Sequence, residues 1–135
     1  MEVYSDDHIR LTYTAEQSLL YAVWKEHKEY DAAAVKQAFM AIVATATEHK
    51  ILNLMLNFAN NTQNLTEAEY KSLIAQLALG LQHTSTQKIA CIGPIDSPRE
   101  QSILAAFNEI KTAIPLALDF RFYSNRASAL QWLLT

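Results

Sequence analysis

Glycine is scarce in this chain: Gly80 and Gly93 are the only two in 135 residues. That scarcity excludes the glycine-rich loops that let a backbone close on phosphate, both GxxxxGK(S/T) and GxGxxG. The GxSxG turn of a serine hydrolase is absent for the same reason. There is a single cysteine, Cys91, so no internal disulfide can form, and a zinc site could draw on at most one thiolate. Cys91 sits in the apolar run KIACIG and reads as a small buried hydrophobe. No CxxC or HExxH occurs, and none of His8, His27, His49 and His83 pairs with another at i, i+4. They read as solvated surface histidines, and neither a metal nor a cofactor is expected.

Concentrated positive charge is also missing. The 11 lysines and arginines are scattered, and the net charge is −3. Nucleic-acid binding relies on clustered cations that displace counterions, so no nucleic-acid partner is expected. No apolar run approaches the roughly 20 residues of a transmembrane helix. The opening MEVYSDDHIR is polar and acidic, unlike a signal peptide, with Asp6 and Asp7 read as solvated. A soluble, cytoplasmic chain is the expectation.

What remains is an ordinary globular composition, 50% hydrophobic and 19% charged, of a length that suits one domain over residues 1–135. Residues 8–13 alternate, with Ile9, Leu11 and Tyr13 on one side, and residues 18–25 are rich in strand formers. The short link between them predicts a β-hairpin. Asp31 can cap a helix whose buried stripe is Val35, Phe39, Ile42 and Val43, and which ends at His49 and Lys50. Residues 51–58, ILNLMLNF, form the near-continuous apolar run of a strand covered on both faces. Thr66 and Glu69 make a capping box, with Leu65 and Tyr70 placed as a hydrophobic staple. The helix they open carries Leu73, Ile74, Leu77 and Leu81 on one stripe.

Residues 88–93 read as a buried strand, and Ser97, Pro98 and Glu100 open a further helix. Residues 118–123 alternate Leu118, Phe120 and Phe122 against Asp119, Arg121 and Tyr123. A short helix from Ser124 or Asn125 closes the chain. Strands alternating with crossover helices imply an α/β fold: an N-terminal hairpin followed by βαβαβα units, in a mainly parallel five-stranded sheet with about four helices.

Ligands of open α/β sheets favour the carboxyl ends of strands. Here those ends lead into polar turns carrying Asn57, Asn60, Asn61, Thr62, Thr66 and Ser97, a candidate binding surface. Thr66 and Ser97 also serve simply as helix caps. Phe39, Met55 and Trp132 are candidates to line an apolar pocket, although such residues ordinarily make up the core itself. No local motif supplies catalytic groups, and the chain reads as non-enzymatic.

The ending Phe120-Arg121-Phe122-Tyr123-Ser124-Asn125, followed by Ala129-Leu130-Gln131-Trp132-Leu133, resembles that of STAS-type proteins, in particular their divergent SpoIIAA-like branch. The order and length of the preceding elements match that pattern over nearly the whole chain. The resemblance implies a SpoIIAA-like fold and a bacterial-type regulatory module that binds a protein partner without catalysis. It also implies a phosphorylation switch at the start of the helix after the central strand, the position of Thr66. That switch carries the motif Asp-Ser-Ser/Thr-Gly, whereas this chain reads Asn64-Leu65-Thr66-Glu67-Ala68-Glu69. A phosphate on Thr66 would face Glu67 and Glu69, and repulsion at that range offsets the gain from the helix dipole. The same branch resembles, in fold, lipid-carrying domains of the CRAL-TRIO kind, which implies a small apolar ligand as the alternative. An exposed edge strand would also suit a homo-oligomer.

Overall fold

The computed structural model describes residues 1–25, 29–57, 62–63, 67–92, 101, 105, 108–109, 112 and 118–135. Its strands are β1 (Glu2–Ser5), β2 (Ile9–Thr14), β3 (Leu19–Trp24), β4 (Glu29–Tyr30), β5 (Asn53–Asn57), β6 (Thr62–Gln63), β7 (Lys88–Ile92) and β8 (Asp119–Tyr123). Its helices are α1 (Ala32–His49), α2 (Glu67–Gln82) and α3 (Arg126–Leu133), with a 3-10 turn at Ala15–Gln17. The helix expected from Ser97 falls largely outside the described residues, of which Gln101, Ala105, Asn108, Glu109 and Thr112 are helical.

The main sheet has six strands in the order β1-β2-β3-β5-β7-β8. β1–β2 and β2–β3 pair antiparallel, and β3–β5, β5–β7 and β7–β8 pair parallel. The sheet is therefore mixed and one strand wider than the five expected. The extra strand is β1. Only Val3 of its residues packs on the core, so no apolar alternation marks it, and its place is set by backbone pairing and by the turn that follows. β4 and β6 form a separate parallel pair of two residues each, too short to leave a periodic signal.

That turn depends on Asp6. Its carboxylate accepts from the backbone N–H groups of His8 (2.7 Å) and Ile9 (2.9 Å) and from the Tyr4 hydroxyl (2.6 Å). Asp6 is thus half-buried and structural, not solvated as expected. The Lys25 ammonium donates to the Asp6 carbonyl and to Ser5 Oγ, tying the turn to the end of β3. His49 also departs from the solvated reading: its ring lies 4.6 Å from that of Tyr13, and it is half-buried.

α1 follows its sequence signals. The Asp31 side chain accepts from Ala34 N–H at 2.9 Å, and Lys50 ends the helix in the left-handed region at φ 52°. Strand alternation then divides the core into two layers. Leu20, Ala22 and Trp24 of β3, Leu54 and Leu56 of β5, and Ile89 and Cys91 of β7 face α1 and α2. The residues between them, Leu19, Met55, Ala90 and Ile92, face the opposite way, against Ala129 and Leu133 of α3. β5 is thus buried on both faces, as its apolar run requires.

α1 and α2 lie close because position 80 has no side chain. A Cβ there would stand 3.0 Å from Val43 Cγ2. Gly80→Leu is expected to lower unfolding free energy by about 1–3 kcal/mol in urea denaturation, since the extra carbons must push the helices apart.

A second prediction concerns pH. Burial, the largest single influence on the Asp6 carboxyl, raises its pKa, but the Tyr4 hydroxyl and the amides of His8 and Ile9 together outweigh it and hold the pKa below the usual value. A depressed carboxylate stabilises the fold above its unfolded pKa and loses that contribution as pH falls through its folded one. Asp6→Ala is expected to cost about 1 kcal/mol or more at neutral pH. The gap to wild type should narrow as pH drops below about 4, followed by thermal unfolding across the acid range.

Candidate functional site

Among the described residues, two concave surfaces stand on opposite sides of the sheet. The outer groove between α1 and α2, about 320 Å³, is lined by Phe39, Met40, Val43, Leu73 and Leu77, with Lys36 and Gln76 among its polar members. Met40 is 62% exposed there, unusual for a large apolar side chain.

The other surface arises from a mismatch of lengths. α3 has eight residues, and its apolar side chains reach Met55, Ala90 and Ile92. That leaves the same face of β2 and β3 open beside it. The result is a groove of about 510 Å³ whose floor carries Arg10, Thr12 and Thr14 of β2 with Leu19, Tyr21 and Val23 of β3. Gln17 closes one end, and Arg126 and Leu130 of α3 form a wall. Period-two alternation positions the floor: Ile9, Leu11 and the half-buried Tyr13 turn to the core, so Arg10, Thr12 and Thr14 must turn the other way.

Local contacts orient the groove's polar groups. The Arg126 guanidinium lies 4.5 Å from the centre of the Tyr21 ring, within cation–π range. The Asn57 side-chain amide donates to Tyr21 Oη at 2.8 Å. Glu2 bonds Arg10 Nε at 3.0 Å, in a pair whose side chains are 53% and 59% exposed. Beyond α3, Lys88 donates to the carbonyls of Trp132 (3.3 Å) and Thr135 (2.9 Å), which places a cation at the negative end of the helix dipole. Arg121 covers the Trp132 ring at 4.8 Å. Asn125, anticipated as a start of this helix, accepts from Ser128 N–H at 2.8 Å and caps it.

The residues singled out from sequence are distributed unevenly. Asn57 is half-buried at the carboxyl end of β5 and joins the groove through Tyr21. Thr62 belongs to the β4–β6 pair by its backbone. Asn60, Asn61, Thr66 and Ser97 lie outside the described residues. The expected apolar pocket of Phe39, Met55 and Trp132 is not brought together. Phe39 packs in the layer under α1, while Met55 and Trp132 belong to the layer under α3, so the sheet itself stands between them. Met55 is fully buried. The groove residues Arg10, Thr12, Tyr21 and Arg126 were missed. The available signal was the polar half of the β2 alternation, Arg10-x-Thr12-x-Thr14, opposite its apolar half.

Among the described residues, no helix is long and apolar enough to cross a membrane. No family model and no curated protein matches the chain. Among solved structures, the chain is similar to an uncharacterized protein of the DUF3478 family from Shewanella loihica PV-4, whose crystal structure is described as having a SpoIIAA-like fold. The TM-score is 0.58 at 15% sequence identity, and the match covers 97% of this chain and 98% of the other. Similarity at that identity and coverage establishes the architecture: this chain has a SpoIIAA-like α/β fold.

Proposed function

We propose that the protein is a non-catalytic regulatory module that binds a protein partner in the groove between the β2–β3 face and α3. The observation that carries this reading is the open sheet face beside α3, lined by arginine, threonine and tyrosine. Guanidinium and hydroxyl groups hold a ligand by charge and hydrogen bonds. The groove meets the carboxyl end of β5 through the Asn57–Tyr21 bond, and Asn57 is one of the residues expected at a binding surface. The SpoIIAA-like fold supports the reading by analogy.

A second reading, a carrier of a small apolar ligand, is favoured by one observation: the apolar α1–α2 groove with Met40 exposed at its mouth. Its volume of about 320 Å³ lies at the lower end of ligand pockets.

Site-directed photo-cross-linking separates the two. A benzophenone side chain at Thr12, on the floor of the sheet-side groove, is expected to capture a protein of discrete mass in the source cells, and the same group at Met40 is not. Capture at Met40 alone, or a lipid-sized adduct there with none at Thr12, would reverse the assignment.

A further inference from the structure

We infer that the groove takes an extended acidic segment of the partner, running along β2 with a carboxylate seated between Arg10 and Arg126. This rests on reading the groove as the partner site. The chain as a whole is acidic, at −3, yet two arginines and no carboxylate are found among the groove's described lining residues. Charges separated by more than about 8–10 Å are largely screened at physiological salt, so the local field governs what docks there.

Arg126 is not explained by its helix. It occupies the first turn of α3, where the dipole disfavours a cation, and no acidic residue accompanies it in that turn. Its guanidinium rests on Tyr21 and has no carboxylate partner among the described residues. Arg10 has one, Glu2, but the contact is through Nε in an exposed pair, the kind that contributes little and exchanges readily. The Tyr21 oxygen already accepts from Asn57, and its own proton reaches no acceptor among the described residues, leaving a donor for the incoming chain.

The floor favours a peptide over a small anion. Arg10, Thr12 and Thr14 stand at alternate positions of one strand, a repeat of roughly 6.6–6.8 Å that matches the same-face repeat of an extended ligand chain. Val23 and Leu130 offer an apolar contact along the same path. Nucleic acid fits less well, because the Tyr21 face that a base would stack on is covered by Arg126.

The test is fluorescence polarisation of the full chain with a fluorescein-labelled hexapeptide of alternating glutamate and threonine, at low and at physiological salt. Saturable binding that weakens with salt is expected, with Arg126→Glu reducing affinity by about tenfold or more. Arg126→Lys, which keeps charge but loses the planar stack, is expected to cost less. A peptide with lysine in place of glutamate is expected not to bind. Because Arg126 is exposed, both variants should keep the wild-type melting temperature. Absence of saturable binding, equal affinity in Arg126→Glu, or displacement of the peptide by an equal concentration of inorganic phosphate would overturn the inference. If the Thr12 cross-link to a protein persists while the peptide fails, only the acidic assignment falls. If that cross-link is absent too, the reading beneath it falls as well.

Discussion

Burial of β5 on both faces is the constraint on which the rest of this structure depends. Parallel pairing puts β5 between β3 and β7, and its alternate residues face opposite ways: Leu54 and Leu56 toward α1 and α2, Met55 toward α3. Both layers must therefore be covered, since fully burying a large aliphatic side chain is worth about 1.5–3 kcal/mol relative to leaving it in water. The two coverings are unequal. α1 and α2 have 18 and 16 residues, whereas α3 has eight. Among the described residues, the long pair lies on one face, and the short helix packs on the centre of the other beside its antiparallel flank. The groove beside α3 lies on that flank.

Much of the fold was legible in the sequence because its signals are local. The Asp31 cap, the apolar run of β5, the alternation of β8 and the Asn125 start of α3 each report a requirement satisfied within a few residues. β1 was not legible, because one packed residue, Val3, cannot establish a period. Asp6 was misread for a related reason. A carboxylate that satisfies two backbone amides and a tyrosine hydroxyl looks, in sequence, the same as one that faces water.

The candidate site was less legible than the fold. Phe39, Met55 and Trp132 share a chemistry, and sequence gave no means of telling which side of the sheet each would occupy. Met55 lies between Leu54 and Leu56 in the chain yet belongs to the other layer. The groove itself draws on three elements distant in sequence, β2, β3 and α3, and its one local trace was the polar half of the β2 alternation. Asn57 was the expected residue that links the two pictures, through its bond to Tyr21. The SpoIIAA-like architecture explains how these elements come to be adjacent and leaves their chemistry to this chain's own residues.

Whether the α3 side of the sheet is covered at its centre and open at its flank can be tested without any partner. Methyl groups report it directly by NMR relaxation enhancement from an inert, soluble gadolinium chelate. Strong relaxation is expected at Thr12, Thr14 and Val23 and little at Met55, Ala90 and Leu133. Protection of Thr12 and Val23 equal to that of Met55 would mean that the face is closed by the chain itself, and the groove would no longer be a place where a partner could bind.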